Sequence, residues 1–98
     1  MLFYADDNDF ANKVLRNRDT VLVDFFADWC IPCQMLSGVV EDIAKEHSVC
    51  KINVDTAPET ARMYNIKSIP TLLVMKNGSM VDHIVGCAEK EQILDLLK

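Results

Sequence analysis

The chain has 98 residues, 50% hydrophobic and 26% charged, and its ten basic and fifteen acidic side chains give a formal net charge of −5. That length makes one domain with one modest core, because a chain of this size hides only about 60–65% of its unfolded surface. An acidic surface repels nucleic acid and anionic membrane, and no apolar run approaches the roughly 20 residues that span a bilayer, so neither kind of partner is expected.

Leu2-Phe3-Tyr4 forms a short strand candidate. Residues 6–18 read as a helix, with Asp6, Asp7 and Asn8 offering an N-cap and Phe10, Val14 and Leu15 sharing a face. No basic region followed by an apolar region precedes the acidic residues Asp6, Asp7 and Asp9, so no signal peptide is expected. Residues 20–26 are apolar with one charge, Asp24, the pattern of a strand buried on both faces. An amphipathic segment covers residues 34–47, where Met35, Leu36, Val39, Val40, Ile43 and Ala44 recur at helical spacing. Residues 49–54 form a third strand. Asp55 or Thr56 then caps a short helix with Pro58 in its first turn, where proline is tolerated. Residues 71–75 and 80–85 flank Lys76-Asn77-Gly78-Ser79, and Asn-Gly between strand-like runs is a strong hairpin signal. A helix over residues 89–97 closes the chain, with Ile93, Leu94, Leu96 and Leu97 apolar. No repeats, linkers or low-complexity tracts interrupt this order. The succession βαβαβαββα predicts an α/β domain over residues 1–98, a mixed sheet with helices on both faces.

The chemistry lies in Trp29-Cys30-Ile31-Pro32-Cys33, where the buried strand hands over to the amphipathic helix. A CxxC at such a corner reads as a reversible dithiol/disulfide couple. A bond across it closes too short a loop to add much stability, and Cys50 and Cys87 stand alone. The pair is therefore chemical rather than structural, and a reducing compartment is expected. Pro32 suits the first turn of a helix, so Cys30 sits near the helix start, where free N–H groups and the dipole favour the attacking thiolate. Cys33, one turn further in and more buried, suits a resolving thiol. The alternative is half of a zinc site. Zinc wants a second pair or a Cys/His set at close spacing, and Cys50, Cys87, His47 and His83 are scattered, so neither metal nor cofactor is expected. Asp24, among apolar neighbours, is either a buried carboxylate that raises its own pKa or a solvated edge-strand residue. Cys50 shares its face with Ile52 and Val54 and belongs to the core.

Residues 23–33, Val-Asp-Phe-Phe-Ala-Asp-Trp-Cys-Ile-Pro-Cys, resemble the active-site block of the thioredoxin family. Lys51-Ile52-Asn53-Val54-Asp55, Ser68-Ile69-Pro70-Thr71-Leu72, Lys76-Asn77-Gly78 and Val85-Gly86 are similar to that family's later blocks in the same order, so the resemblance covers the whole chain. It implies a thioredoxin fold with a five-stranded mixed sheet. The implied activity is general protein-disulfide reduction: Cys30 attacks, Cys33 resolves, and Asp24 takes the Cys33 proton. Lys51 matches the family lysine beside that acid, against the alternative of an ordinary strand-surface lysine. The resemblance also implies a cis Ile69-Pro70 bond facing the CxxC, with backbone groups offered to an extended substrate. Trp29 is then a partly exposed cover, against the alternative of a core aromatic, and Ile31 and Pro32 flank the nucleophile. Gly86 keeps the groove clear, against or beside the alternative of a strand-end glycine needing unusual φ/ψ. Cys87 lies on the groove's rim, against the alternative of a small buried residue at the end of a strand. Protein disulfides and a thioredoxin reductase follow as partners, with a cytoplasmic monomer as the expected form. The chain departs from the family at Ile31, where glycine is usual, at Gln34 for lysine, at Gly38 for proline and at Phe26 for tryptophan. The link from Lys45 to Cys50 is also short. A thiol oxidase or isomerase of the same fold, and a non-enzymatic binding subunit, are the rival readings.

Overall fold

The computed structural model describes residues 1–98. Strands β1 (Leu2–Tyr4), β2 (Thr20–Phe26), β3 (Ser48–Asn53), β4 (Thr71–Lys76) and β5 (Ser79–Val85) form one sheet in the order β1-β3-β2-β4-β5. β3 runs parallel to both β1 and β2, while β4 runs antiparallel to β2 and β5 to β4, so the sheet is mixed as expected. The near-continuous apolar run of β2 suits a strand with a neighbour on each edge and a layer over each face.

Alternation along β2 sorts its side chains between two cores. Val21, Val23 and Phe25 enter one cluster with Cys50, Ile52, Phe10, Val14 and Ala61. Leu22 enters the other with Val49, Leu72 and Val74, under helix α1 (Ile31–Ile43) and helix α3 (Lys90–Leu97). Period-2 alternation therefore puts Asp24 on the α1 side of the sheet. It pairs in register with Lys51 of β3 and Leu72 of β4.

Several boundaries differ from the sequence expectations, each for a local reason. The helix expected over residues 6–18 is a π-helical segment, Ala11–Leu15, in which the Arg16 N–H reaches back to the Ala11 carbonyl. The turn before it is held by side chains: Asp6 Oδ1 accepts from Asn8 and Asp9, and Asp9 Oδ1 accepts from Asp6. Helix α1 begins at Ile31 with Pro32 in its first turn, as expected, but ends at Ile43, short of residue 47. Its inward stripe is Cys33, Leu36, Val40 and Ile43, so Met35, counted with the apolar periodicity, is exposed. Helix α2 (Pro58–Met63) is not capped by Asp55 or Thr56. Asp7, some fifty residues away, accepts from the Glu59 and Thr60 N–H groups and from the Thr60 hydroxyl. The hairpin forms at Asn77-Gly78, both at positive φ (51° and 78°), as a two-residue turn of this kind requires. A Cβ at Gly78 would run into the Leu15 carbonyl oxygen. Glu89 caps α3 in a reciprocal box with Gln92.

Candidate functional site

Cys30 occupies the N-cap of α1 in extended conformation (φ −89°, ψ 108°), and Pro32 lies in the first turn. The Cys30 Sγ accepts the Cys33 N–H at 3.2 Å, taking the place a serine or aspartate oxygen usually fills. A thiolate at this atom gains from the free amides and from the positive end of the helix dipole. Cys30 and Cys33 are joined as a disulfide with their Cα atoms 5.2 Å apart, a normal span for such a bridge. One expectation fails in this state: Cys33 is not the more buried of the two, since Cys30 is 4% and Cys33 5% exposed. The bridge tucks both sulfurs against Ala27, Ile69 and Phe26.

The Ile69-Pro70 peptide is cis, and the Ile69 carbonyl oxygen lies 3.8 Å from Cys30 Sγ, so this loop does face the disulfide. Gly86 adjoins it: its N–H donates to the Pro70 carbonyl at 2.8 Å, and its φ of +91° favours glycine. A Cβ at Gly86 would meet nothing in the chain, so within the molecule the backbone conformation is the reason for glycine. Trp29 is 68% exposed, with its indole Nε1 donating to Asp55 Oδ2 at 2.8 Å. Ile31, also exposed, continues that apolar surface, and Gln34 Nε2 ties the start of α1 to the Asp28 carbonyl at 2.9 Å.

Asp24 is 1% exposed on a central strand, which removes the edge-strand alternative. Its Oδ1 has no hydrogen-bond partner. Burial pushes its carboxyl up to about 6, against a smaller downward pull from the Lys51 charge. Lys51 is not an ordinary strand-surface lysine either, being buried but for 8% of its area. Its Nζ contacts Ser37 Oγ at 3.4 Å and stands 4.6 Å above the centre of the Phe26 ring. A cleft of about 290 Å³ opens beside these groups, lined by Lys51, Ser37, Phe26 and Cys33 among others.

Cys50 is fully buried, and burial pushes its thiol up to about 12, so it is inert. Cys87 is exposed and donates to the Pro32 carbonyl at 3.4 Å, which places it against the CxxC turn. His47 is half-buried at the end of the α1 region and His83 is exposed on β5. Neither lies in the disulfide cluster. Asp55 and Ser37 are the site neighbours that local pattern did not single out for these contacts. The signals available were only Asp55's place just past a strand and Ser37's i+4 spacing from Cys33.

A helix-capping sulfur that is also half of a reversible bridge, beside an exposed apolar surface, is built to pass two electrons to another disulfide. Its class is thiol–disulfide oxidoreductase. The thioredoxin family model matches residues 1–98, and the chain belongs to that family. It is 48% identical over 92 residues to a thioredoxin of Mycobacterium tuberculosis (90% of this chain, 79% of the relative). It is 45% identical over 95 residues to a thioredoxin of Buchnera aphidicola (93% and 87%), and 42% identical over 99 residues to a thioredoxin of Rickettsia prowazekii (97% and 94%). Its activity is protein-disulfide oxidoreduction, and disulfide-bearing proteins and a thioredoxin reductase are the partners the family implies. No helix is long and apolar enough to cross a membrane.

Proposed function

We propose that residues 1–98 act as one monomeric, cytoplasmic domain that reduces protein disulfides broadly, with a separate reductase to recharge it and no bound cofactor of its own. The Cys30 thiolate attacks one sulfur of a substrate disulfide. A mixed disulfide forms and the first substrate sulfur leaves as a thiolate, which takes a proton from solvent. Cys33 gives its proton to Asp24 and attacks Cys30 Sγ. The mixed disulfide breaks, the second substrate sulfur leaves as a thiolate that takes a proton from solvent, Asp24 returns its proton to solvent, and two electrons have passed to the substrate as the Cys30–Cys33 bond forms.

The observation that carries these roles is the helix cap: Cys30 Sγ holds the Cys33 N–H at 3.2 Å, an environment that stabilises its thiolate over that of Cys33. Lys51 is the cation that makes ionised Asp24 tolerable. Trp29, Ile31 and Pro32 form one wall for the substrate chain. Ile69, Pro70 and Gly86 form the other, where backbone groups can pair with an extended peptide. Insulin reduction tests the assignment. Cys30→Ser abolishes turnover, and Cys33→Ser accumulates a covalent mixed disulfide through Cys30. Full turnover by Cys33→Ser sinks the two-thiol scheme.

A further inference from the structure

Lys51 and Asp24 stand opposite each other in register on adjacent parallel strands. A lysine so placed ordinarily closes onto the carboxylate, since a buried charge is costly without a partner. Here it does not: Asp24 Oδ1 is buried and unpartnered, while the Lys51 ammonium is engaged elsewhere. One neighbour is the Ser37 hydroxyl at 3.4 Å, and the other is the face of the Phe26 ring, 4.6 Å to its centre. Ser37 lies four residues after Cys33 on α1, so the two share a helix face one turn apart. Both line the cleft with Lys51, whose other titratable groups are Tyr4 of β1 and Asp28 after β2.

We propose that Ser37, with the Phe26 ring, is a positioning residue for the redox reaction, holding the Lys51 ammonium away from the Asp24 carboxylate so that Asp24 remains a competent proton acceptor for Cys33. The inference rests on the assignment of Asp24 as that acceptor. Its physical basis is distance. A cation in contact with a carboxylate lowers the carboxyl pKa by about 1–3 units, whereas a cation held off by other contacts leaves it near neutrality, where a general base is most effective. The carboxyl pushed up to about 6 fits the held-off arrangement. The cation–ring contact keeps the ammonium from needing the carboxylate.

The test is a carbon NMR titration of the Asp24 carboxyl in the oxidised protein, paired with the pH profile of mixed-disulfide resolution. Alanine is a good helix former, so Ser37→Ala keeps α1. Ser37→Ala lowers the Asp24 midpoint by about one pH unit and moves the acid limb of the resolution profile down equally. Ser37→Thr, which keeps the hydroxyl, restores the parent midpoint, and Phe26→Leu shifts it in the Ser37→Ala direction. An unmoved midpoint in Ser37→Ala overturns the proposal, as does a resolution rate scaled equally at every pH, which marks a structural role only. Asp24→Asn separates the two readings. If its acid limb stays in place, Asp24 is not the acceptor, and the assignment fails whatever Ser37 does to the midpoint.

Discussion

Adjacent register pairs of β2 and β3 bury an acidic group on each face of the sheet, a thiol on one and a carboxyl beside a buried lysine on the other, and the two faces treat them differently. Val23 stands against Cys50, and the next pair sets Asp24 against Lys51. Cys50 and Asp24 are both buried, and burial pushes both pKa values up. On the Cys50 face the surroundings are apolar, with Phe10, Val14, Phe25 and Ile52 in the same cluster, and the thiol rises to about 12. On the Asp24 face a cation stands nearby and a cleft reaches in beside Cys33, and the carboxyl settles at about 6. Burial is the larger cause on both faces, and on each a cation pulls the other way, Lys13 for Cys50 and Lys51 for Asp24. The thiol starts high and is carried out of the range where a cell works, while the carboxyl starts low and is carried into it.

The sealed face should respond to lost volume and not to pH. Phe25→Ala removes a fully buried ring that also meets Tyr64 at 6.4 Å between ring centres. A loss of about 3–5 kcal/mol is expected in urea melts, equal at pH 5 and pH 8. This is a large share of the roughly 5–15 kcal/mol a domain has. A loss below about 1 kcal/mol would show that this face is not close-packed.

The open face should respond to pH with a definite sign. The folded carboxyl of Asp24 titrates at about 6 against 3.8 as its ordinary value, so the fold disfavours the ionised form. Above pH 6 the full cost is present, and it fades as pH falls from about 6 toward 3.8. Asp24→Asn removes that cost. It should gain up to about 3 kcal/mol at pH 8 and almost nothing at pH 4, while slowing resolution. A gain of the same size at both pH values, or a lower midpoint at pH 8, breaks the comparison.

A smaller effect separates stability from activity on the two faces. Cys50→Ala takes one atom from the sealed core and should cost about 1 kcal/mol in melts with insulin reduction unchanged. Impaired reduction at full folding would mean that the two faces are coupled.

Much of this arrangement was legible in the residues because it rests on near neighbours in sequence. The seven-residue apolar run of β2, the Asn77-Gly78 turn and the CxxC at a strand–helix corner each carry their own local signal. What escaped rests on distant partners. Asp7 reads as a cap for its own helix, yet it caps α2. Met35 fits the apolar periodicity of α1, yet the stripe that faces the sheet passes through Leu36 and Val40. The equal burial of Cys30 and Cys33 depends on Ala27, Ile69 and Phe26 closing over the bridge. The Trp29–Asp55 and Lys51–Ser37 contacts join elements that only the assembled sheet brings together.

The two free cysteines offer the finest probe of the same contrast. In the oxidised protein Cys30 and Cys33 are bridged, leaving Cys50 in the sealed face and Cys87 at the edge of the site. Cys50 is protected twice: no surface admits a reagent, and a thiol pushed up to about 12 supplies almost no thiolate at pH 8. Its labelling must wait for global opening of the core. Cys87 is exposed, and its side-chain hydrogen bond is a weak S–H donation to the Pro32 carbonyl at 3.4 Å, which bars no reagent. Alkylation of native oxidised protein at pH 8 should therefore modify Cys87 alone, and denaturant should add Cys50. Mass spectrometry of the modified peptides reads the outcome, and equal protection of the two thiols would mean that the Gly86-Cys87 corner is closed over rather than open beside the disulfide.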